Sequence, residues 1–231
     1  MREARGHDGR NVLQMRVDMG ILQMETTGRP DGSKPAGFET YLKHLVSLAS
    51  AAGPDFHLDE EQCAEIDREF YQYYHRRICW LTLKKYAEAV QDAEHTLALM
   101  DFSATHAPDP EWSLLHEQYR PFVMFHKIQA TALLDLEKTD PKAALGTLDQ
   151  GLSSLADVFE KHDALEHFDD DGFVMKLREM RDAIVEHYKL GPTLAEQLDA
   201  AIANEEYELA AELRDLMEDS REKRGRESFK N

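Results

Sequence analysis

The chain of 231 residues is long enough to bury a substantial core, and its hydrophobic content of 42% excludes a disordered chain. Acidic residues outnumber basic ones 45 to 27, which gives a formal net charge of −18. Because a phosphate backbone or an anionic membrane would repel such a surface, we expect neither direct nucleic-acid binding nor membrane binding.

The cysteines and the absence of long apolar runs indicate a cytoplasmic protein. Cys63 and Cys79 form no CxxC pair, and two lone thiols fit a reducing compartment better than a disulfide scaffold. No apolar run is long enough to span a bilayer, and residues 1–10 lack the apolar core of a secretory signal. We therefore expect a cytoplasmic location.

The N-terminal part of the chain is ambiguous. Residues 1–11 are polar, and we expect them to be frayed. Between Val12 and Met24 the apolar residues alternate as in a strand, but they also fit one face of a helix. A lone strand would need a partner that the rest of the chain does not offer, so a helix is favoured, followed by a loop at residues 28–32.

From Phe38 onwards, apolar residues recur at helical spacing, which predicts a succession of amphipathic helices. Asp109 and Asp140 precede prolines that suit a first helical turn. One helix should be kinked near Pro121, which removes a backbone donor. The predicted helices of the body cover residues 38–52, 58–83, 86–102, 111–136, 141–159 and 173–188.

Two stretches of these helices share one layout: a helix ends, a short polar turn follows and a second helix opens with alanines. The first stretch runs from Tyr74 to Leu97 and the second from Ala130 to Leu152. Small residues at the crossing let two helices approach closely. The first stretch resembles a tetratricopeptide repeat in Tyr86, Ala89, Val90, Ala93 and Leu97, and the second resembles it more loosely.

Two interpretations of these helix pairs stay open. The resemblance implies two degenerate repeats over roughly residues 60–160, with a shallow concave surface that binds a peptide. A generic helical bundle whose hairpins only look repetitive fits the same residues.

A separate helical hairpin is predicted after residue 190. Thr193 and Glu196 have the spacing of a capping box at the start of a helix that runs to about residue 203. Asn204 and Glu205 then suit a tight turn, because Asn tolerates the left-handed conformation that closes a helix. A second helix begins at residue 205 or 206, where acidic side chains favour the helix dipole.

The residues of this hairpin are similar to the UVR motif. After Leu194, Leu198 and Ile202, the run from Tyr207 to Asp215 carries an aromatic residue and a glutamate, and then Ala-Ala-x-Leu-Arg-Asp, as in the family pattern. The resemblance implies a helical hairpin that docks onto another hairpin. Such hairpins join the excision-repair subunits UvrB and UvrC, and related ones occur in Clp ATPases and their adaptor McsA.

The hairpin has more apolar surface than two short helices can bury against each other. We expect one set of side chains to face the first helix through Leu198 and Ile202: Tyr207, Ala210, Ala211 and Met217. Three others should lie partly on another side: Leu209, Leu213 and Leu216. A second copy, a different protein or residues 111–190 of the same chain must cover these leucines. All these residues, with Arg214, form the predicted partner-binding set.

Arg214 has two interpretations. It could form a surface ion pair with Asp215 or Glu218, which would contribute about 0–1 kcal/mol. It could equally recognise a carboxylate of the partner.

Metal, cofactor and catalytic sites are not indicated. His75 and Cys79 lie four residues apart on a predicted helix, and Cys63 and His95 are conceivable further ligands, but nothing fixes four zinc ligands. A core histidine and a buried thiol are the simpler interpretation. The chain has no phosphate-loop, dinucleotide-binding or metalloprotease motif.

The sequence therefore predicts an all-α protein with tetratricopeptide-like antiparallel helix pairs and a C-terminal UVR-type hairpin. Its parts are an N-terminal segment with a first helix (1–57), a helical domain (58–190), the hairpin (191–225) and a flexible tail (226–231). The favoured function is a non-catalytic adaptor without cofactor or metal. The alternatives are a homodimeric structural protein, or an enzyme with a site near Arg16, Asp18 and Asp31.

Overall fold

The computed structural model of the protein describes residues 1–192 and 194–228, except for the side chains of Ala195, Glu196 and residues 218–228. Three strands come first: β1 (Arg2–Arg5), β2 (Asn11–Val17) and β3 (Gly20–Glu25). The helices follow: α1 (Tyr41–Ala52), α2 (Glu60–Thr82), α3 (Tyr86–His106), α4 (Pro110–Glu117), α5 (Arg120–Glu137), α6 (Pro141–Lys161), α7 (Gly172–Tyr188), α8 (Leu194–Ala203) and α9 (Tyr207–Ser228). The predicted helical fold is confirmed, with a small sheet added to it.

Residues 2–25 form a three-stranded antiparallel sheet, so the favoured helix at residues 12–24 and the frayed N-terminus were wrong. β2 lies between β1 and β3, with Leu13 opposite Met24. Both side chains are buried in a cluster with Cys79 and Trp80 of α2. The sequence did not reveal β1 as a partner strand, because its residues are polar. They can still pair with β2, since strands pair through backbone groups.

The N-terminal segment and the helical body share apolar clusters. Leu13 packs with Cys79, and Leu45 of α1 packs with Ile66 of α2 and Leu99 of α3. The division of the chain near residue 57 stays a prediction, and the last helix continues to Ser228, past the expected hairpin boundary. Within the described residues, no helix is long and apolar enough to cross a bilayer.

The two helix pairs singled out in the sequence end their first helix in the same way. Lys84 after α2 and Thr139 after α5 have left-handed backbones, with φ of 58° and 59°. The next N–H in each case reaches back to the carbonyl five residues earlier: Lys85 to Trp80 at 2.9 Å, and Asp140 to Asp135 at 3.0 Å. This Schellman closure lets α3 and α6 turn back without a glycine.

The helix expected over residues 111–136 is two helices. α4 starts with a cap in which Asp109 Oδ1 accepts the Trp112 N–H at 2.8 Å, and it ends at Glu117. α5 begins at Arg120 and places Pro121 in its first turn, where the missing N–H has no helical partner to lose. The predicted kink is therefore a break just before the proline.

α5 and α6 approach closely at Gly151. A methyl group built on Gly151 would lie 2.5 Å from Ile128 Cγ2 and 2.6 Å from Ile128 Cγ1. These carbons branch next to the backbone of α5, so they have little freedom to move aside.

We expect Gly151→Ala to lower the free energy of unfolding by about 1–3 kcal/mol through overpacking. Helix propensity alone would predict a more stable variant, since it favours Ala over Gly by about 1 kcal/mol. Urea unfolding measures the change. Gly172→Ala is the matched control, because nothing lies within 4 Å of the added methyl group there, and it should leave stability almost unchanged. A more stable Gly151→Ala protein would show that the contact is not tight.

Charged side chains inside the body attach the N-terminal segment to the helices. Arg76 of α2 forms a bidentate ion pair with Asp92 of α3, with N–O distances of 2.7 and 2.9 Å. The same guanidinium donates to the backbone oxygens of Glu25 and Gly28 at 3.1 and 2.8 Å. One buried arginine therefore connects the end of β3 and the following loop to two helices.

A second buried charge, the carboxylate of Glu69, binds the start of α1. Glu69 of α2 is fully buried and accepts the backbone N–H groups of Tyr41 and Leu42 at 2.7 and 3.1 Å. Its other contacts are His95 Nε2 at 2.8 Å and Arg29 Nε at 3.5 Å. Carboxylates at a helix start are favoured by the helix dipole, so Glu69 fixes the place where α1 begins.

Candidate protein-binding hairpin

The hairpin of α8 and α9 is closed by a turn at residues 204–206. Glu205 has a left-handed backbone with φ of 59°, and the Glu206 N–H reaches the carbonyl of Ala201 at 2.8 Å. This is the same Schellman closure as in the body, with Glu205 rather than the expected Asn204 in the left-handed position. The predicted capping box involves Thr193, which lies outside the described residues.

Small side chains form the centre of the hairpin. Ala201 of α8 and Ala210 and Leu213 of α9 are buried against each other, and Leu194 and Leu198 pack on them. Met217 is half-buried. Alanines at the crossing bring the helices close, so this short hairpin has an apolar interior of its own.

The expected division of side chains between the two faces was partly wrong. Leu213 lies inside the hairpin rather than on another side, because it follows Ala210 by three residues and shares its stripe on the helix. Ile202, Tyr207 and Ala211, which were expected to lie inside, are exposed. Tyr207 is the first residue of α9, and side chains point toward the N-terminus of their helix, so its ring extends past the contact.

The described hairpin residues include four exposed large apolar side chains, which together we call the outer face. They are not all on one side of the hairpin, because Tyr207 and Leu209 lie about 200° apart around α9. Their exposed fractions are 46% for Ile202, 69% for Tyr207, 44% for Leu209 and 52% for Leu216. Arg214 is also exposed, and its pairing stays a prediction, because one expected partner, Glu218, lies among the undescribed side chains. Burying a leucine contributes about 1.5–3 kcal/mol, so a partner that covers Leu209 would gain a contribution of this size.

The hairpin is separate from the body in its packing. Its apolar cluster contains residues of α8 and α9 alone, and the clusters of the body contain none of the described hairpin residues. The structure therefore contradicts the interpretation in which residues 111–190 cover the hairpin leucines. Leu209 stays on the surface, and Leu213 is covered from within the hairpin.

The alternative site in the N-terminal segment is dispersed. Arg16 lies exposed on β2, and Asp18 lies in the turn between β2 and β3. Asp31 is held in its loop, where it accepts hydrogen bonds from Ser33 and from Gln72 Nε2 at 2.9 Å. Arg16 and Asp18 lie near the β2–β3 turn, whereas Asp31 lies beyond the other end of β3, so the three side chains do not converge on one site.

The four residues considered as zinc ligands lie in different surroundings. Cys79 is buried under the sheet, and Cys63 is buried beside α1. His95 contacts the carboxylate of Glu69 at 2.8 Å, and His75 Nδ1 contacts the Tyr71 backbone oxygen at 2.8 Å. Each of the four therefore has a structural role where it stands.

The described residues of α8 and α9 form a compact helical hairpin with a buried alanine crossing. Comparison with protein families assigns it: residues 192–223 match the UvrB/uvrC motif, so the protein carries a UVR motif. This match confirms the resemblance seen in the sequence, and it covers the hairpin but not the tetratricopeptide-like body. Neither the curated proteins nor the solved structures gave a match to the chain.

Proposed function

We propose that the protein is a non-catalytic adaptor of the cytoplasm that binds another protein through the outer face of its C-terminal hairpin. The observation that carries the proposal is the exposure of Ile202, Tyr207 and Leu209 on a hairpin whose described residues share no apolar cluster with the body. Exposed apolar patches of this kind are typical of interaction sites.

The UVR motif adds a partner class to this proposal. It occurs in DNA repair and in protein interactions, and a partner that presents a helical hairpin of its own would cover the outer face by helix packing. Excision repair or Clp-type protein quality control is the proposed setting, and the motif alone suggests it.

Leu209→Asp should weaken partner binding about ten- to a hundredfold, because it removes one buried leucine and places a charge in the interface. Partners are captured on the immobilised full chain, identified, purified and titrated by calorimetry against wild type and variant. Leu165→Asp is the matched control: Leu165 is similarly exposed, at 49%, but lies on the body, so binding should persist. Leu213→Asp is unsuitable, because Leu213 belongs to the hairpin interior.

Two outcomes would overturn the adaptor proposal. Equal affinity of Leu209→Asp and wild type would remove the outer face from the interface. If light scattering instead finds a wild-type dimer that Leu209→Asp converts to a monomer, with no other partner bound, the hairpin joins two copies of this chain.

A further inference from the structure

A groove of about 730 Å³ lies on the face of the body to which α2, α5 and α7 contribute. Half of its lining residues are Phe or Tyr: Phe70, Tyr71, Tyr74, Tyr119, Phe122 and Phe173. The rings lie near one another, with centroids of Phe122 and Phe173 5.5 Å apart and those of Tyr74 and Phe122 6.2 Å apart. A groove of this volume suits one small organic ligand.

Arg77 lines the same groove and is only 1% exposed. Its guanidinium donates to Thr96 Oγ1 at 2.9 Å and to His126 Nδ1 at 3.3 Å. Neither partner carries a negative charge: Thr96 has a neutral hydroxyl, and the imidazole of His126 is neutral at neutral pH because burial and the Arg77 charge lower its pKa to about 4. The nearby carboxylate of Asp92 is bonded to Arg76.

Arg77 therefore differs from the other buried cations of the body. Among the described residues, no carboxylate forms an ion pair with it, whereas Arg76 pairs with one carboxylate and Arg29 with three. Buried charges in proteins are ordinarily paired, since the loss of hydration is costly. Burial accordingly lowers the pKa of Arg77 to about 10, which still leaves it charged at neutral pH.

Two features of the groove favour a positively charged ligand instead. The carboxylate of Asp67 lines the groove, and the faces of aromatic rings attract cations. Asp67 is 54% exposed and already contacts His116 Nε2 at 2.8 Å, so water and this partner weaken its field. The Arg77 charge acts through the protein interior, where the dielectric constant is lower and the field stronger. A single negative charge on the ligand is therefore favoured, whereas the net charge of −18 disfavours polyanions.

We propose that this groove binds a small organic monocarboxylate, with its aromatic or branched apolar body among the rings and its carboxylate directed toward Arg77. The proposal does not depend on the hairpin, because the groove is lined by residues of the body.

The test uses the full chain and three probes of one size: phenylpropionate, its neutral amide and phenylpropylamine. Ligand-detected NMR or calorimetry at neutral pH should show the acid binding at least about tenfold more tightly than the amide, and the amine more weakly still. Equal binding of the acid and the amide, or no binding of the acid at millimolar concentration, would overturn the proposal. So would binding of the tripeptide Ala-Ala-Phe without binding of the small acid.

Variants test whether the charge of Arg77 causes the preference for the acid over the amide. Arg77→Gln should abolish the preference for the acid, and Arg77→Lys should retain part of it. Leu165→Asp, which adds a charge to the body outside the groove, should bind the acid as wild type does. If Arg77→Gln does not fold, the relative affinity of the wild-type protein for the acid and the amide still tests the proposal.

Discussion

Replacing Asp92 with alanine should lower the free energy of unfolding by about 3–5 kcal/mol, because it leaves the buried Arg76 guanidinium without its carboxylate. The ion pair is bidentate, and both side chains are about 95% buried. A loss of this size is a large fraction of the stability of an ordinary domain, about 5–15 kcal/mol. Urea unfolding followed by circular dichroism measures it.

The expected effect extends beyond α2 and α3. Arg76 also donates to the backbone oxygens of Glu25 and Gly28, so a displaced guanidinium releases the end of β3. Hydrogen exchange should therefore rise in the sheet before it rises in α5 and α6.

Asp101→Ala is the matched control for Asp92→Ala. Asp101 also pairs with an arginine, Arg120 at 2.8 Å, but its side chain is 69% exposed, so the loss should be about 0–1 kcal/mol. Similar losses in the two variants would show that the buried pair contributes no more than a surface pair. In the double variant Arg76→Met/Asp92→Leu, an apolar pair should recover part of the stability.

His126 should make the protein less stable as the pH falls from about 6.5 to about 4. Burial, and next the positive charge of Arg77, lower the pKa of folded His126 to about 4 from its ordinary 6.5. Between these values the unfolded chain holds a proton that the folded chain rejects, so stability is fully present above pH 6.5 and declines below it. The shift corresponds to about 3 kcal/mol.

His126→Gln removes this titration and keeps an oxygen that can accept the Arg77 Nε–H. Chemical unfolding between pH 7 and pH 4 should therefore show a flatter decline in the variant than in wild type, by about 3 kcal/mol. His167→Gln is the control for the substitution itself, since its side chain is 74% exposed. Parallel curves for wild type and His126→Gln would assign the acid sensitivity to other groups.

The helices of the body were predictable because their signals are local. Asp109 and Asp140 cap helices at the predicted places, and the apolar spacing of α2, α3, α6 and α7 gave their ends to within a few residues. The hairpin was predictable for the same reason, since Ala210, Ala211 and Leu213 to Asp215 occur in one short run.

The sheet and the buried charges were not predictable from local patterns. β1 is polar, and nothing in residues 2–5 shows that they pair with residues 11–14. Arg77 recurs at helical spacing with the apolar residues of α2, but nothing in the local pattern shows that this charge and the adjacent Arg76 are both buried. They are buried because Asp92, Thr96 and His126 come from other helices to meet them.

The sequence by itself determined the helical class, the order of the helix pairs and the UVR hairpin, because capping, spacing and turn residues act over a few positions of the chain. Tertiary structure alone decided which charges are buried and where an aromatic groove forms around Arg77. These depend on contacts between residues far apart in the chain, where the fit of neighbouring helices rather than the local pattern selects what water can reach.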